Sequence, residues 1–85
     1  MSIVKILCKI TDAKEMKSFL EELLTAKERD DLELRWELMR RLKDGETQRK
    51  ISKDLHISLC KVTRGNKIIK NSSSITNRLL NREER

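Results

Sequence analysis

The sequence predicts an all-α chain of about six short-to-medium helices, and three features carry that prediction. Proline is absent and only Gly45 and Gly65 supply glycine, so helix breakers are scarce. Charged residues make up 40% of the chain and aromatic ones only 2%, Phe19 and Trp36, a composition that disfavours sheet. Apolar residues recur at three- and four-residue spacings, punctuated by capping and turn signals. At 85 residues the chain reads as one small domain over 1–85, which buries only part of the surface its unfolded form exposes. Self-association is therefore expected.

Ile3, Ile6, Leu7 and Ile10 recur at helical spacing, and their β-branched content leaves a short strand as the alternative to helix. Lys5 and Lys9 interrupt this apolar start and no small-residue cleavage pattern follows, so it reads as neither signal peptide nor membrane span. Asp12 with Glu15 has the form of a capping box ahead of the stripe Met16, Phe19, Leu20, Leu23 and Leu24, which predicts a helix over about 13–24. Thr25 with Glu28 repeats the box and opens a long helix. Its Leu32, Trp36, Met39 and Leu42 share a face, widened by Leu34 and Leu38, until Asp44-Gly45 stops it. A stripe that wide has too few partners in one short chain, so it is expected to be buried against a second copy with Trp36 in the dimer core.

A short helix from about Thr47 to Leu55, a turn at His56-Ile57 and a helix capped by Ser58 running to Gly65 or beyond form a predicted helix-turn-helix over about 47–66. Ile51, Leu55, Ile57, Leu59 and Val62 are spaced to share one seam, leaving Gln48, Arg49, Lys61, Thr63 and Lys67 outward. Asn71 to Ser74 reads as a polar linker or cap. Ile75, Leu79 and Leu80 mark a last helix, with a frayed tail from Asn81 to Arg85.

The charge is unevenly placed. Residues 48–70 carry Arg49, Lys50, Lys53, Lys61, Arg64, Lys67 and Lys70 against Asp54 alone, which matches the whole net charge of +6. Residues 1–43 hold ten basic and nine acidic side chains and read as a scaffold. A cationic helix pair suits an anionic partner, and double-stranded DNA asks for phosphate-binding helix starts and an exposed reading helix. Gln48, Arg49, Lys50, Lys53, Lys61, Thr63 and Lys67 are the candidate DNA contacts. Taken one at a time, each is better read as a solvated surface residue; the concentration of charge and the apolar seam together favour DNA.

Cys8 and Cys60 lie far apart and His56 is the only imidazole, so no zinc site is expected and both thiols are read as reduced, as in the cytoplasm. Cys60 is expected beneath the recognition helix, and His56 is assigned to the turn. The serines at 72–74 have no histidine base in a recognisable motif, so no enzyme is expected.

The segment from Gln48-Arg49-Lys50-Ile51 through Val62-Thr63-Arg64-Gly65, preceded by Leu24-Thr25-Ala26-Lys27-Glu28-Arg29 and by Gly45-Glu46, resembles the tryptophan repressor family of bacterial tryptophan operons. The likeness covers roughly residues 22–80. It implies an all-helical, intertwined homodimer that binds a palindromic operator when L-tryptophan, the corepressor, sits beside each reading head. By motif position, the indole would lie between Arg35 and Arg64, and Arg64 would also pair with the carboxylate. Backbone groups near Leu24 and Thr25 of the partner chain would close the pocket, with Gly65 and Ile68 completing the ligand contacts.

The sequence departs from the family pattern at several points. Ile68 stands where the family has a serine that helps hold the ligand's amino group, and Ser52 replaces a lysine of the supporting helix, with Lys50 and Lys53 beside it. His56-Ile57-Ser58 replaces a glycine-rich turn, the loop before Gln48 is one residue shorter, and the N-terminal arm is abbreviated. Three readings follow: a tryptophan-responsive repressor; a helix-turn-helix protein of the same fold that is ligand-independent or senses another indole compound; and a helical interaction module for an acidic protein. On residue pattern alone Arg35, between Glu33 and Glu37, is a surface ion-pair partner.

Overall fold

A computed structural model describes residues 2–83, and these contain no strand. The six helices are α1 (Ile3–Lys9), α2 (Ala13–Leu23), α3 (Ala26–Lys43), α4 (Gln48–Leu55), α5 (Leu59–Lys70) and α6 (Ile75–Glu83). The first segment is thus helical, not extended: Ser2 caps it, its hydroxyl accepting from the Lys5 amide at 3.4 Å. At α2, Asp12 accepts from the Glu15 amide at 3.0 Å. The box at the start of α3 is reciprocal: the Thr25 amide donates to Glu28 Oε1 at 2.9 Å and the Glu28 amide to Thr25 Oγ1 at 3.2 Å. Those bonds to Thr25 hold the Glu28 carboxyl below its ordinary pKa.

The chain forms two compact units, residues 1–32 and 33–85. In the first, no residue of α1 or α2 is fully buried. Met16, Phe19, Leu20 and Leu24 are half-buried, while Ile3, Val4, Leu23 and Leu32 are exposed. Arg29 closes the end of α2, donating from Nη1 to the carbonyls of Glu21 at 3.0 Å and Leu24 at 2.8 Å.

The second unit has a true core. Leu38 and Leu42 of α3, Ile51 of α4 and Val62 of α5 are buried together, with Leu55, Ile57 and Ile69 packed on them. Leu80 of α6 is also fully buried. Gly45, with φ 90°, ends α3 in a left-handed turn. Its amide donates to the Leu42 carbonyl at 3.0 Å and the Glu46 amide to the Arg41 carbonyl at 3.1 Å, which satisfies carbonyls left open by the helix end. Lys43 Nζ donates to Asn77 Oδ1, and Asn77 Nδ2 donates to the Ile69 carbonyl at 2.6 Å. One α6 side chain thereby ties the ends of α3 and α5.

The recognition helix runs beyond Gly65 to Lys70, where Asn71 caps it. Three expectations are corrected. Leu59 is exposed, not in the seam; as the first residue of α5, its side chain leans toward the helix start and beyond the core. Cys60 is exposed as well, since two positions of helix separate it from buried Val62 and turn it to the opposite face. The last helix extends through Glu83, so Asn81 and Arg82 are helical; Glu84 and Arg85 of the expected frayed tail lie outside the described residues.

His56 holds φ 55°, the left-handed region that costs an L residue roughly 1–2 kcal/mol and glycine almost nothing. Set against glycine's greater entropy when unfolded, His56→Gly is expected to stabilise by up to about 1 kcal/mol. Thermal unfolding checks this: an unchanged or lower Tm would mean that the imidazole makes compensating contacts.

Candidate nucleic-acid interface

The core positions the charged face. The side chains of Ile51 on α4 and Val62 on α5 are fully buried, and this fixes which side of each helix remains outward. On α4, Arg49, Lys50 and Lys53 are exposed and Gln48 is half-buried. On α5, Lys61, Thr63, Arg64, Lys67 and Lys70 are exposed. The cationic window is therefore a surface on two adjoining helices, as the sequence predicts. Thr47 caps α4, accepting from the Lys50 amide at 3.3 Å, and Ser58 caps α5, accepting from Lys61 at 3.3 Å.

The turn between the helices is closed by Ser52. Its hydroxyl donates to the Ile57 carbonyl at 2.6 Å, and its own carbonyl accepts from the Ile57 amide at 3.2 Å. At the outer face the Thr63 hydroxyl lies 3.0 Å from Gln48 Oε1 and also 3.0 Å from the Leu59 carbonyl. Gln48 and Thr63, fifteen residues apart, are thus brought together on the predicted reading surface.

An arginine that no local motif singles out organises the base of this pair. Arg41, in the last turn of α3, donates from Nε and Nη2 to Glu46 Oε1 at 2.9 and 2.6 Å, and from Nη2 to Asp54 Oδ2 at 2.6 Å. Its side chain is only 13% exposed. Both carboxyls are held below their ordinary pKa, first by hydrogen bonds from Arg41. Asp54, the one acid in the cationic window, is thereby paired with a cation outside that window, one guanidinium being shared between two carboxylates. No sequence cue finds this cluster, because Arg41 and Asp54 are thirteen residues apart and lie on different helices.

The ligand candidates fall in both units. Leu24 and Thr25 belong to the first: the Leu24 carbonyl accepts from Arg29 and the Thr25 amide donates to Glu28. Arg35, Arg64, Gly65 and Ile68 belong to the second. Arg35 and Arg64 are exposed on α3 and α5, and Ile68 is half-buried. Glu37, the expected partner of Arg35, is engaged by Arg40 at 2.6 Å. Gly65 is buried where α5 meets α3: a Cβ there would stand 3.3 Å from both Leu38 Cδ2 and Leu42 Cδ1. Arg35 lies one turn before Leu38 on α3, and Arg64 immediately precedes Gly65 on α5. Exposed guanidinium groups can stack on an aromatic ring or pair with a carboxylate.

Among the described residues no group of three or more His, Cys, Asp or Glu is placed to hold a metal ion, and no helix is long and apolar enough to cross a membrane.

Among the described residues, six helices and no strand, with the excess positive charge on one adjoining pair, define a small all-helical protein with a cationic helix pair. The family model described as Trp repressor protein matches residues 1–84, and the chain belongs to that family. Trp operon repressor homologs of Xylella fastidiosa strains M23, Temecula1 and 9a5c are each 38% identical over 64 residues, spanning 74% of this chain and 70% of theirs. No solved structure gives a significant match. The family is one of DNA-binding regulators, so the chain is a transcriptional repressor and not an enzyme.

Proposed function

We propose that residues 1–85 form one DNA-binding and dimerisation domain, a cytoplasmic helix-turn-helix repressor that binds a palindromic operator as a homodimer when L-tryptophan is bound. The observation that carries this reading is the exposed cationic face of α4 and α5, with its single acid turned back onto Arg41. Lys50, Lys53, Lys61 and Lys67 supply phosphate contacts, while Gln48, Arg49 and Thr63 lie where base edges would be read. The exposed apolar residues of the first unit, with half-buried Trp36 and Met39, favour a second copy as the surface that covers them.

Arg35 and Arg64 hold the indole and Arg64 the carboxylate, with Gly65 and Ile68 beside them and Leu24 and Thr25 contributed by the second copy. Ile68 supports a second reading, in which the same fold acts without ligand or senses an indole compound lacking the amino group.

The test is binding of a palindromic duplex, enriched from a random-sequence pool by the wild-type protein, measured with and without L-tryptophan and with indole-3-propionate. Enhancement by both, with the amine-free acid equal or better, is expected. Calorimetry on Arg64→Ala should show tryptophan binding lost, and Ile68→Ser should shift preference toward the amino acid. Unchanged tryptophan binding in Arg64→Ala would remove the pocket assignment.

A further inference from the structure

We propose that Arg41 is a positioning residue for nucleic-acid binding: its guanidinium fixes α4 against the end of α3 and so sets the angle at which Gln48 and Arg49 are presented. The inference rests on the proposed DNA-binding reading of the helix pair.

The argument is geometric. Glu46 immediately precedes the cap of α4, and Asp54 lies in its last turn. One guanidinium reaches both, so it grips α4 from the two ends of its length. An eight-residue helix is about 12 Å long. Sliding it along its axis separates Arg41 from one carboxylate, and rotating it carries Asp54 away from α3. Ile51 alone would not resist these motions, because apolar contact is non-directional. Charge-assisted hydrogen bonds from a rigid, planar fork are directional, and with Arg41 13% exposed, Glu46 26% and Asp54 41%, water screens them only in part.

The electrostatic consequence has the opposite sign to the geometric one, which lets the two be separated. Removing both acids raises the net charge by two, so it should strengthen binding to any duplex. If Arg41 acts by positioning, the same change must weaken discrimination between sequences. Exposed acids that served only to temper the positive field would leave discrimination untouched.

The experiment uses the full chain with Arg41→Lys, which keeps the charge and loses the fork, and the double variant Glu46→Ala/Asp54→Ala, which keeps Arg41 and removes its acceptors. Alanine favours helix at 54, so the second variant should fold even if the first does not. Two readouts are taken: hydrogen exchange of the α4 amides in DNA-free protein, and affinity for the selected palindromic duplex relative to a random one.

In both variants the α4 amides should exchange about tenfold faster, with the α5 amides nearly unchanged. The palindrome-to-random ratio should fall about three- to tenfold in both, while the double variant binds random duplex more tightly than wild type. Unaltered α4 exchange together with an unaltered ratio would overturn the assignment. If the wild-type chain selects no duplex, the DNA reading fails, and the exchange measurement still decides whether Arg41 holds α4.

Discussion

Ile51→Ala is expected to cost about 2–5 kcal/mol, a large share of what a small domain has. Ile51 is fully buried at the centre of the second unit, where α4 meets Leu38, Leu42 and Val62, and no other residue of α4 is fully buried. Deleting its three outer carbons removes their transfer energy and leaves a cavity that the short helix can fill only by shifting. The presentation of Arg49, Lys50 and Lys53 depends on that seat, so the variant should lose duplex binding before it loses all helicity. Urea unfolding followed by far-ultraviolet circular dichroism, and by the fluorescence of the single tryptophan, Trp36, checks the size of the effect. Lys53→Ala, on the exposed side of the same helix, serves as control and should stay within about 0.5 kcal/mol of wild type. A cost for Ile51→Ala below about 1 kcal/mol would mean that α4 is held by its polar ties and not by the core.

Arg49→Ala is expected to weaken binding to the selected duplex by about 1–3 kcal/mol, roughly ten- to a hundredfold, with relaxed sequence preference. Arg49 is exposed in the first turn of α4, next to the Thr47 cap, where backbone N–H groups already favour an anion. Affinity should also fall steeply with salt, because seven cations lie between residues 48 and 70. Titrations at several salt concentrations on selected and random duplex separate the possible roles. Equal loss on both duplexes with a shallower salt slope would reassign Arg49 to phosphate. No loss on either would remove α4 from the interface.

Much of this structure was legible in local sequence. Capping side chains act over three residues, so Asp12, Thr25, Thr47 and Ser58 mark helix starts, and all four accept from the amide three positions on. Gly45 marks the end of α3 because a left-handed turn is cheapest at glycine. Likewise the cationic window needs only counting. Where the reading missed, the deciding interaction was not local. Spacing along the chain puts Leu59 in the seam, and Cys60 is expected beneath the helix, yet the packing of α5 on Ile51 leaves both exposed.

By itself, then, the sequence determined the all-helical class, the helix starts and the location of the charge, since each is set by neighbours within a turn or two of chain. Only the tertiary structure decided that Arg41 grips Glu46 and Asp54, that Gln48 meets Thr63, that Asn77 bridges Lys43 and Ile69, and that Gly65 seats α5 on Leu38 and Leu42. These pairings join groups on different helices. Their energies are short-ranged and depend on how the helices rotate and cross, which is settled by packing Ile51 and Val62 into one core and not by any spacing along the chain.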